Sequence, residues 1–484
     1  MQPGQLQRGT ELRLVAEEPA FSSTGGSAHG GEGMTIARHE GFVIFVVGAV
    51  PGDEVMAEVV RVKKNFAEAR VTRLEKPSRL RTEPRCRHFG VCGGCKWQHV
   101  EYQSQLRFKE RFVKDSLERI GGFKDPVMLP IIGAEDVFFY RNKMEFSFSD
   151  QMWFERIPEQ SDSLTDKPEI FLGLHVPQRY DKILEIEECH LQSEESNRIL
   201  NFTRQFFRGK NVPVYSSKTH SGFLRFLVMR QSRRSHELMV NLVTFEDRPE
   251  LMELFSDELR KEVPEVTTIV NTVNTRRAQI AYGEVEKVYY GPGIIREKFL
   301  DFTFSVSAGS FFQTNTAQAE RLFRVAFEMA NLKHDETVYD LYSGTGTIAI
   351  CISRDVKQVI GLESSESAVR DAERNAVENG VSNCRFIHGD MSAKLLDSGW
   401  QSEHPSPGVV ITDPPRSGMH PKVVESLMKI SPPRLVYVSC NPATQARDLQ
   451  SLCRGKYDLV KSQPVDMFPH TYHVENISLL KVRA

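Results

Sequence analysis

The stretch Val338–Ile350, VYDLYSGTGTIAI, predicts a buried strand, a tight turn and the start of a helix. Gly344 and Gly346 allow the backbone of this turn to approach a ligand closely. The glycines do not follow the G-x-G-x-x-G pattern of dinucleotide sites. No Walker lysine follows them, which argues against a nucleoside triphosphate. The stretch therefore predicts a ligand-binding strand–turn–helix unit of an α/β sheet.

Carboxylates follow the next strands of this predicted sheet. Glu363 ends the strand QVIGLE, Asp390 ends the third strand and Asp413 ends the fourth. Acids at the carboxyl ends of successive parallel strands line the usual ligand crevice, and one at the position of Glu363 suits a ribose diol. Together with the short glycine turn they favour S-adenosylmethionine. The motif DPPR at Asp413–Arg416 is similar to motifs of methyltransferases that act on bases.

The pattern of apolar residues divides the chain into three parts. Residues 1–76 carry short strands rich in Val and Ile, typical of a small oligonucleotide-binding β-barrel, with a loop at Ser22–Gly33. Residues 77–300 are mainly strands, apart from a helix at 101–120 that is a candidate to pack on the last part. Residues 301–484 alternate strand and helix, as in a doubly wound parallel sheet. The predicted fold class is therefore α/β and multidomain.

The composition is that of a soluble globular protein. The chain has 484 residues, of which 40% are hydrophobic and 26% charged, and its net charge is −2. No apolar run approaches the length of a membrane span, and the N-terminal residues MQPGQLQRGTELRLV lack the apolar core of a signal peptide. We therefore expect a cytoplasmic protein that does not enter a membrane and keeps its eight cysteines reduced.

Positive charge is concentrated between Arg61 and Arg87. This stretch holds ten Lys or Arg against three acids. The basic residues are Arg61, Lys63, Lys64, Arg70, Arg73, Lys76, Arg79, Arg81, Arg85 and Arg87. The stretch is either a solvated face or a patch that binds nucleic-acid phosphates.

The remaining chemistry lies in the cysteines. Three of them have C-x5-C-x2-C spacing, and a fourth lies much later in the chain, in EECHLQS. This spacing alone favours a structural zinc site. These four are Cys86, Cys92, Cys95 and Cys189. Cys440 differs, because it follows the apolar strand of YVSCNP and precedes Pro442, where a strand cannot simply continue. On this stretch alone, Cys440 is more readily a packing residue than a nucleophile.

Seven motifs together resemble one family. They are FVVGAVPGDEV, CRHFGVCGGCKWQH, SAGSFFQTN, DLYSGTGT, DPPRSGM, YVSCNPAT and DMFPHTYHVENISLL, and they span nearly the whole chain. In this order they resemble the RNA uridine-C5 methyltransferases, in the iron–sulfur branch that carries a TRAM domain and is typified by the 23S ribosomal RNA enzymes. The resemblance implies an OB-like TRAM barrel, a central domain with a metal cluster and a C-terminal Rossmann-like methyltransferase domain.

The same resemblance implies a role for each site residue. It makes Cys440 the nucleophile and Glu475 the base that removes the C5 proton. The residues implied to contact S-adenosylmethionine are Gln313, Tyr342, Glu363, Asp390 and Asp413. The four-cysteine set becomes the ligands of a [4Fe–4S] cluster, an alternative to the zinc that spacing favours. This chain departs from the family at Ser343, where the family often has Cys, and in a polar insertion at 155–169.

The implied activity is methylation of C5 of a uridine in RNA by a monomeric enzyme. The branch implies 23S ribosomal RNA as substrate, with tRNA as an alternative. A DNA cytosine-C5 enzyme would place its nucleophile in a Pro-Cys pair, whereas Cys440 follows Ser439, and an adenine-N6 enzyme needs no cysteine. An RNA-binding module without catalysis is the remaining rival, against which Cys440, Glu475 and Gln313 all argue.

Overall fold

A computed structural model describes residues 6–21, 33–151, 153, 170–176, 179–395 and 397–483. Apart from Gly33, the predicted loop at Ser22–Gly33 lies outside the described residues, as does the insertion at 155–169. Within these ranges, no helix has both the length and the apolar character needed to cross a bilayer.

The N-terminal part is a six-stranded sheet. Its strands are β1 Glu11–Val15, β2 Glu18–Pro19, β3 Thr35–His39, β4 Phe42–Val47, β5 Glu54–Val62 and β6 Phe66–Lys76, in the order β1-β5-β6-β4-β3-β2. Exposed and buried residues alternate along β1, which turns Leu12 and Leu14 into the core. Just after β1, the backbone N–H of Glu17 donates to the carbonyl of Ile36 in β3 at 2.8 Å. The sheet therefore curls back on itself, as the predicted small barrel requires.

A single helix connects this sheet to the rest of the chain. Helix α1, Tyr102–Arg119, is followed by Gly121 and Gly122. Its Val113 and Leu117 are buried in an apolar cluster formed mainly by the C-terminal part of the chain. The helix therefore packs on the C-terminal part, although in sequence it lies more than 200 residues earlier.

The central part is a seven-stranded sheet with two helices on one face. The strands are β7 Lys143–Ser149, β8 Phe171–Val176, β9 Arg179–Glu185, β10 Leu224–Ser232, β11 Glu237–Thr244, β12 Thr268–Val273 and β13 Val285–Tyr290. Their order is β13-β12-β11-β10-β7-β8-β9, and only β11 and β12 pair in parallel among these described strands. The helices are α2 Glu194–Arg208 and α3 Pro249–Glu262. Phe206 and Phe207 of α2 pack with Phe255 of α3 in the core between helices and sheet.

The C-terminal part begins with a hairpin and continues as a doubly wound sheet. The hairpin is β14 Ile294–Phe299 and β15 Phe302–Ser307. The sheet strands are β16 Thr337–Leu341, β17 Gln358–Glu363, β18 Cys384–His388, β19 Val409–Thr412, β20 Arg434–Ser439, β21 Tyr457–Val465 and β22 Glu475–Val482. The helices are α4 Thr316–Ala330, α5 Thr347–Ile352, α6 Glu366–Glu378, α7 Met391–Lys394, α8 Ser398–Glu403, α9 Pro421–Ile430 and α10 Pro442–Gly455.

The strand order of this last sheet is β18-β17-β16-β19-β20-β22-β21. Strands β16 to β20 are parallel, and β22 runs antiparallel to both of its neighbours. Leu322 of α4 packs on one face, while Val423 of α9 and Leu449 of α10 pack on the other. The predicted doubly wound α/β sheet is confirmed, and its strands reverse order between β16 and β19, where ligands of such sheets bind.

Candidate active site

A cavity of about 1240 Å³ opens at the carboxyl ends of the parallel strands. It exceeds the roughly 300–1,000 Å³ of a typical small-molecule pocket, so it has room for more than one small ligand. The site residues predicted from the sequence that line it are Gln313, Tyr342, Glu363, Asp413, Cys440 and Glu475. The structure thus brings together residues that span more than 160 positions of the chain.

The glycine turn after β16 supports one side of this cavity. The N–H of Gly344 donates to Glu363 Oε2 at 3.0 Å, and the N–H of Ser365 donates to Oε1 at 2.8 Å. Gly346 has φ 79°, and a Cβ there would lie 2.7 Å from Phe386 Cζ. Both conformation and space therefore require glycine at that position. The turn holds the Glu363 carboxylate at the cavity wall in one orientation.

Asp390 is not part of this cavity. It lines a neighbouring cavity of about 570 Å³, and Tyr342 lines both cavities. The Asp390 side chain caps α7, and hydrogen bonds from Ser392 and from the N–H of Ala393 lower the pKa of its carboxyl group. Asp390 therefore lies in a cavity that adjoins the one lined by the other predicted cofactor residues, and the backbone of the shared Tyr342 is left-handed with φ 65°.

Gln313 lies on a loop that the central sheet holds in place. Asn142 Nδ2 donates to the carbonyl of Gln313 at 2.8 Å. Arg230 of β10 is 3% exposed and donates to the carbonyls of Ala308 and Ser310 on the same loop. The position of Gln313 at the cavity is thus set by residues outside the C-terminal sheet.

Cys440 and Glu475 are neighbours across two strands. Strand β20 pairs antiparallel with β22, and its last residue, Ser439, lies opposite Asn476. Cys440 and Glu475 are the next residues outward on each strand, so their side chains meet at the edge of the ladder. Cys440 is half-buried, Glu475 is buried, and both line the cavity.

The turn after Cys440 explains why β20 ends there. Asn441 caps α10 by accepting the N–H of Ala443 at 3.1 Å, and Pro442 occupies the first turn, where its missing N–H costs nothing. Asn441 Nδ2 also donates to the carbonyl of Arg416 at 3.2 Å. The Asn-Pro pair thus starts a helix and leaves Cys440 at the mouth of the strand.

The electrostatics of this corner are dominated by acids. Burial, and then the charges of Glu475 and Asp413, raises the pKa of the Cys440 thiol to about 12, while Arg416 opposes the rise. Burial and repulsion by Asp413 also raise the pKa of the Glu475 carboxyl above its ordinary value. Both shifts favour the neutral forms of the thiol and of the carboxyl group.

Two further residues belong to this corner. Arg416 is the cation that faces Cys440 and Glu475, and its signal in the sequence was its place in the DPPR motif. Asp340 of β16 is fully buried, which raises the pKa of its carboxyl group well above the usual value. Its Oδ2 accepts the N–H of Ala349 at 3.1 Å, and its Oδ1 has no hydrogen-bond partner among the described residues. The sequence signal for Asp340 was the presence of an acid inside the apolar run VYDL.

The four-cysteine set forms a second cluster, remote in sequence from Cys440. Cys92 and Cys189 pack against the core of the central sheet. Burial raises the pKa of the Cys92 and Cys95 thiols to about 11 and about 12, and the other thiols contribute to both shifts, so the sulfurs lie near one another. Yet no group of three or more His, Cys, Asp or Glu in the described ranges has a geometry that could hold a metal ion. Four cysteine thiols are suitable ligands for a thiolate-bound metal. In this structure, however, their side chains are not arranged to surround a metal ion.

Comparison with known proteins identifies the family. A model described as tRNA (uracil-5-)-methyltransferase matches residues 256–483. An uncharacterized RNA methyltransferase of Chlorobaculum tepidum is 43% identical over 442 residues, covering 91% of each chain. Another, of Porphyromonas gingivalis, is 42% identical over 454 residues, covering 93% of this chain and 97% of the relative.

This chain belongs to the (uracil-5-)-methyltransferase family of RNA methyltransferases. A TRAM-domain model matches residues 26–72, which confirms the predicted N-terminal module. A solved structure similar to this chain is the Pyrococcus abyssi tRNA (uracil-54, C5)-methyltransferase in complex with S-adenosyl-L-homocysteine. It is 29% identical, with a TM-score of 0.72 over 97% of this chain and 100% of that chain. Dependence on S-adenosylmethionine follows from the family.

The N-terminal part, residues 1–76, carries six of the ten basic residues between Arg61 and Arg87. Several of the ten form ion pairs within the fold. Ion pairs join Arg73 to Glu75, Lys76 to Glu54, Arg81 to Asp53, and Arg87 to Glu187. Lys63, Lys64 and Arg70 are exposed, and no ion pair to them is seen in the described part of the chain. These three are therefore the best candidates for contacts to RNA phosphates.

Replacing Lys63, Lys64 and Arg70 together by alanine should weaken RNA binding. Removal of each phosphate interaction should flatten the plot of log affinity against log salt by roughly 0.7–0.9. Affinity for S-adenosylmethionine should not change, since the cavity is lined by other elements. The measurement is RNA binding by filter retention over a salt series.

The matched control replaces Arg73, Lys76 and Arg87 by alanine, which removes the same charge from residues that already have acidic partners. This control should change the salt slope less. Equal slopes in the two folded triple variants would assign the stretch to an ordinary solvated face.

Proposed function

We propose that this protein transfers a methyl group from S-adenosylmethionine to C5 of a uridine in RNA, with Cys440 as nucleophile and Glu475 as base. The observation that supports this proposal is the adjacency of Cys440 and Glu475 at the ends of β20 and β22. Both line one cavity with the Glu363 carboxylate. A nucleophile, a base and a ribose acceptor in one cavity meet the needs of this reaction.

The chemistry explains why a cysteine stands at this position. C5 of uracil is too weak a nucleophile to attack a methyl sulfonium. When the Cys440 thiolate adds to C6, the electron pair of the C5–C6 double bond moves toward the C4 carbonyl and C5 becomes an enolate carbon. C5 gains the methyl group as the bond from that group to the donor's sulfonium sulfur breaks, which leaves S-adenosylhomocysteine. Glu475 then takes the C5 proton, the double bond re-forms and the thiolate leaves C6. A thiolate is both a good nucleophile and a good leaving group.

The charges around Cys440 bear on when the thiolate forms. Asp413 and Glu475 oppose ionisation of the thiol in the unliganded cavity. Arg416 favours ionisation, and a further positive charge in the cavity would act in the same direction. Activation of Cys440 would then depend on ligand binding, which protects the thiol from side reactions beforehand.

The cofactor would be held by residues on the other side of the cavity. Glu363 suits the ribose hydroxyls because both of its oxygens are fixed acceptors. Gln313, Tyr342 and Asp413 line the same cavity as Glu363. Bound S-adenosylmethionine supplies an electrophilic methyl group. Asp390 would act only through the neighbouring cavity.

RNA that contains 5-fluorouridine should form a denaturation-resistant adduct with the wild-type protein, because fluorine at C5 cannot leave as a proton. Cys440→Ala should form no adduct and show no turnover, while still binding S-adenosylmethionine. Denaturing gel electrophoresis of labelled RNA measures the adduct. Cys453→Ala, which removes a thiol elsewhere on α10, is the control and should behave as wild type. An adduct that persists in Cys440→Ala would refute the assignment of the nucleophile.

For the substrate, we propose a uridine of 23S ribosomal RNA. The resemblance to the branch that combines a TRAM barrel with four cysteines supports this choice. The full-length likeness to a tRNA (uracil-54, C5)-methyltransferase supports tRNA as the second candidate.

Deletion of the gene should remove 5-methyluridine from one position of 23S ribosomal RNA and leave tRNA unchanged. Mass spectrometry of nuclease fragments from both RNA pools measures the change, and re-expression of the wild-type gene, but not of Cys440→Ala, should restore the nucleoside. Loss from tRNA instead would select the second candidate.

The four-cysteine set is proposed to bind a [4Fe–4S] cluster. The clustering of its sulfurs beside the central core supports a thiolate-bound metal, and the family resemblance favours iron–sulfur over zinc. The methyl transfer requires no electron, so no step of the reaction is assigned to the cluster.

Protein purified without oxygen should be brown and contain about four irons per chain. Cys189→Ser should lower the iron content and bleach the visible absorbance, whereas Cys453→Ser should not. Metal analysis by mass spectrometry with absorbance spectroscopy provides the measurement. A colourless wild-type protein with one zinc per chain would favour the structural zinc site.

A further inference from the structure

A fully buried ion pair joins helix α1 to the chain just before Glu475. Lys109 Nζ donates to Asp466 Oδ1 at 2.6 Å, and neither side chain has any exposed surface. The hydroxyl of Tyr102, also on α1, donates to Asp466 Oδ2 at 2.9 Å. Taking two charges out of water is costly, so such a pair contributes little to stability overall. What it provides is a fixed geometry between two elements that are 357 residues apart.

The pair fixes the start of the segment 466–473, which forms all but the last residue of the connection between β21 and β22. Lys109 Nζ also donates to the carbonyl of Phe468 at 3.1 Å. The N–H of Phe468 donates to Asp466 Oδ1 at 3.1 Å, so both backbone groups of Phe468 are held by the ion pair. Phe468 lines the cavity together with Cys440 and Glu475. Lys109 therefore sets part of the cavity wall without reaching the cavity itself.

The rest of the segment is also held from outside the C-terminal sheet. The N–H of His470 donates to Gln105 Oε1 of α1 at 2.9 Å. The carbonyl of His470 accepts the N–H groups of Lys96 and Trp97 at 2.8 and 2.9 Å. His470 has φ 65°, a left-handed conformation that costs a non-glycine residue energy and persists only where its surroundings hold it.

A chain of contacts leads from Lys109 to the base. The Thr471 hydroxyl donates to the Phe468 carbonyl at 2.8 Å and accepts the N–H of His473 at 3.2 Å. Glu475 follows two residues later, at the first position of β22. Cys440, by contrast, is held by the turn between β20 and α10, where Asn441 caps the helix. Beyond the β20–β22 pairing that they share, the nucleophile and the base thus have different supports.

We propose that Lys109 is a positioning residue for Glu475, and that with Asp466 it holds the segment 466–473 so that the base meets the C5 proton. The inference rests on the proposed function of Glu475 and deepens it. Because Cys440 has its own support, loss of Lys109 should slow removal of the proton more than addition of the thiolate. The methylated covalent RNA adduct, which precedes proton removal, should then accumulate.

The test compares Lys109→Met with wild type, using RNA tritiated at uridine C5 and methyl-labelled S-adenosylmethionine. Turnover is measured by tritium release, and the methyl-labelled adduct is measured on denaturing gels. Lys109→Met should lower turnover by about 100-fold, the scale expected for a misplacement of about 1 Å, and should accumulate adduct. Affinities for RNA and for S-adenosylmethionine should stay within about twofold of wild type, since Lys109 lines neither binding surface.

Lys114→Met is the matched control, because it makes the same change on α1 at an exposed residue paired with Glu118. It should behave as wild type. Tyr102→Phe removes one hydrogen bond to Asp466 and keeps the ion pair, so it should show the same adduct at a smaller loss of turnover. If Lys109→Met does not fold, the same measurements on Tyr102→Phe test the proposal.

Glu475→Gln is the reference for adduct accumulation. If this reference forms no adduct while wild type releases tritium, the assignment of the base fails, whatever Lys109 does. If the reference accumulates adduct but folded Lys109→Met and Tyr102→Phe do not, the positioning role is refuted. A loss of turnover with an equal loss of adduct would also refute it, since that pattern marks damage to the addition step or to the fold.

Discussion

The antiparallel pairing of β20 with β22 is the constraint on which the active site depends. If β22 ran parallel to β20, the C-terminal ends of the two strands would lie side by side. The two residues that meet there would then both come from turns between a strand and a helix. Because β22 reverses direction, its first residue meets the last residues of β20. Glu475 can therefore follow a long connecting segment while Cys440 begins a helix. The start of a helix and the start of a strand thus meet at one point, and the proposed nucleophile and the proposed base lie side by side there.

That arrangement concentrates negative charge in a poorly solvated place. Burial raises the pKa of each of the three groups Cys440, Asp413 and Glu475. Both carboxylates further oppose ionisation of Cys440, Asp413 opposes that of Glu475, and Arg416 offsets part of this repulsion. These shifts favour the neutral forms of the thiol and of both carboxyl groups. Under the proposed mechanism, a ligand that brings positive charge would favour ionisation of Cys440.

Local patterns in the sequence predicted the sheet and the acids at its strand ends, since glycine turns and such acids are set by near neighbours. The roles of Cys440, Glu475 and Gln313 were predicted only through the family resemblance. VYDLYSGTGTIAI is a strand, a turn and a helix, and Glu363 lines the cavity as expected. The number of basic residues between Arg61 and Arg87 did not show how much of their charge is free to bind RNA. The acidic partners of Arg81 and Arg87 lie 28 and 100 residues away in the sequence. Asp390 was also expected to contact the cofactor, yet it lines a second cavity, which shares Tyr342 with the first.

The contacts that hold the site in place have no local signature at all. Nothing in the neighbouring sequence marks Lys109 or Asp466, and their pairing exists only because α1 packs against the C-terminal sheet. Asn142 and Arg230 likewise hold the loop of Gln313 from the central sheet. The cofactor side and the base side of the cavity are thus both anchored by residues outside the doubly wound sheet. The doubly wound sheet positions the ends of its strands. The positions of the Gln313 loop and of the segment 466–473 depend on contacts with helix α1 and the central part of the chain.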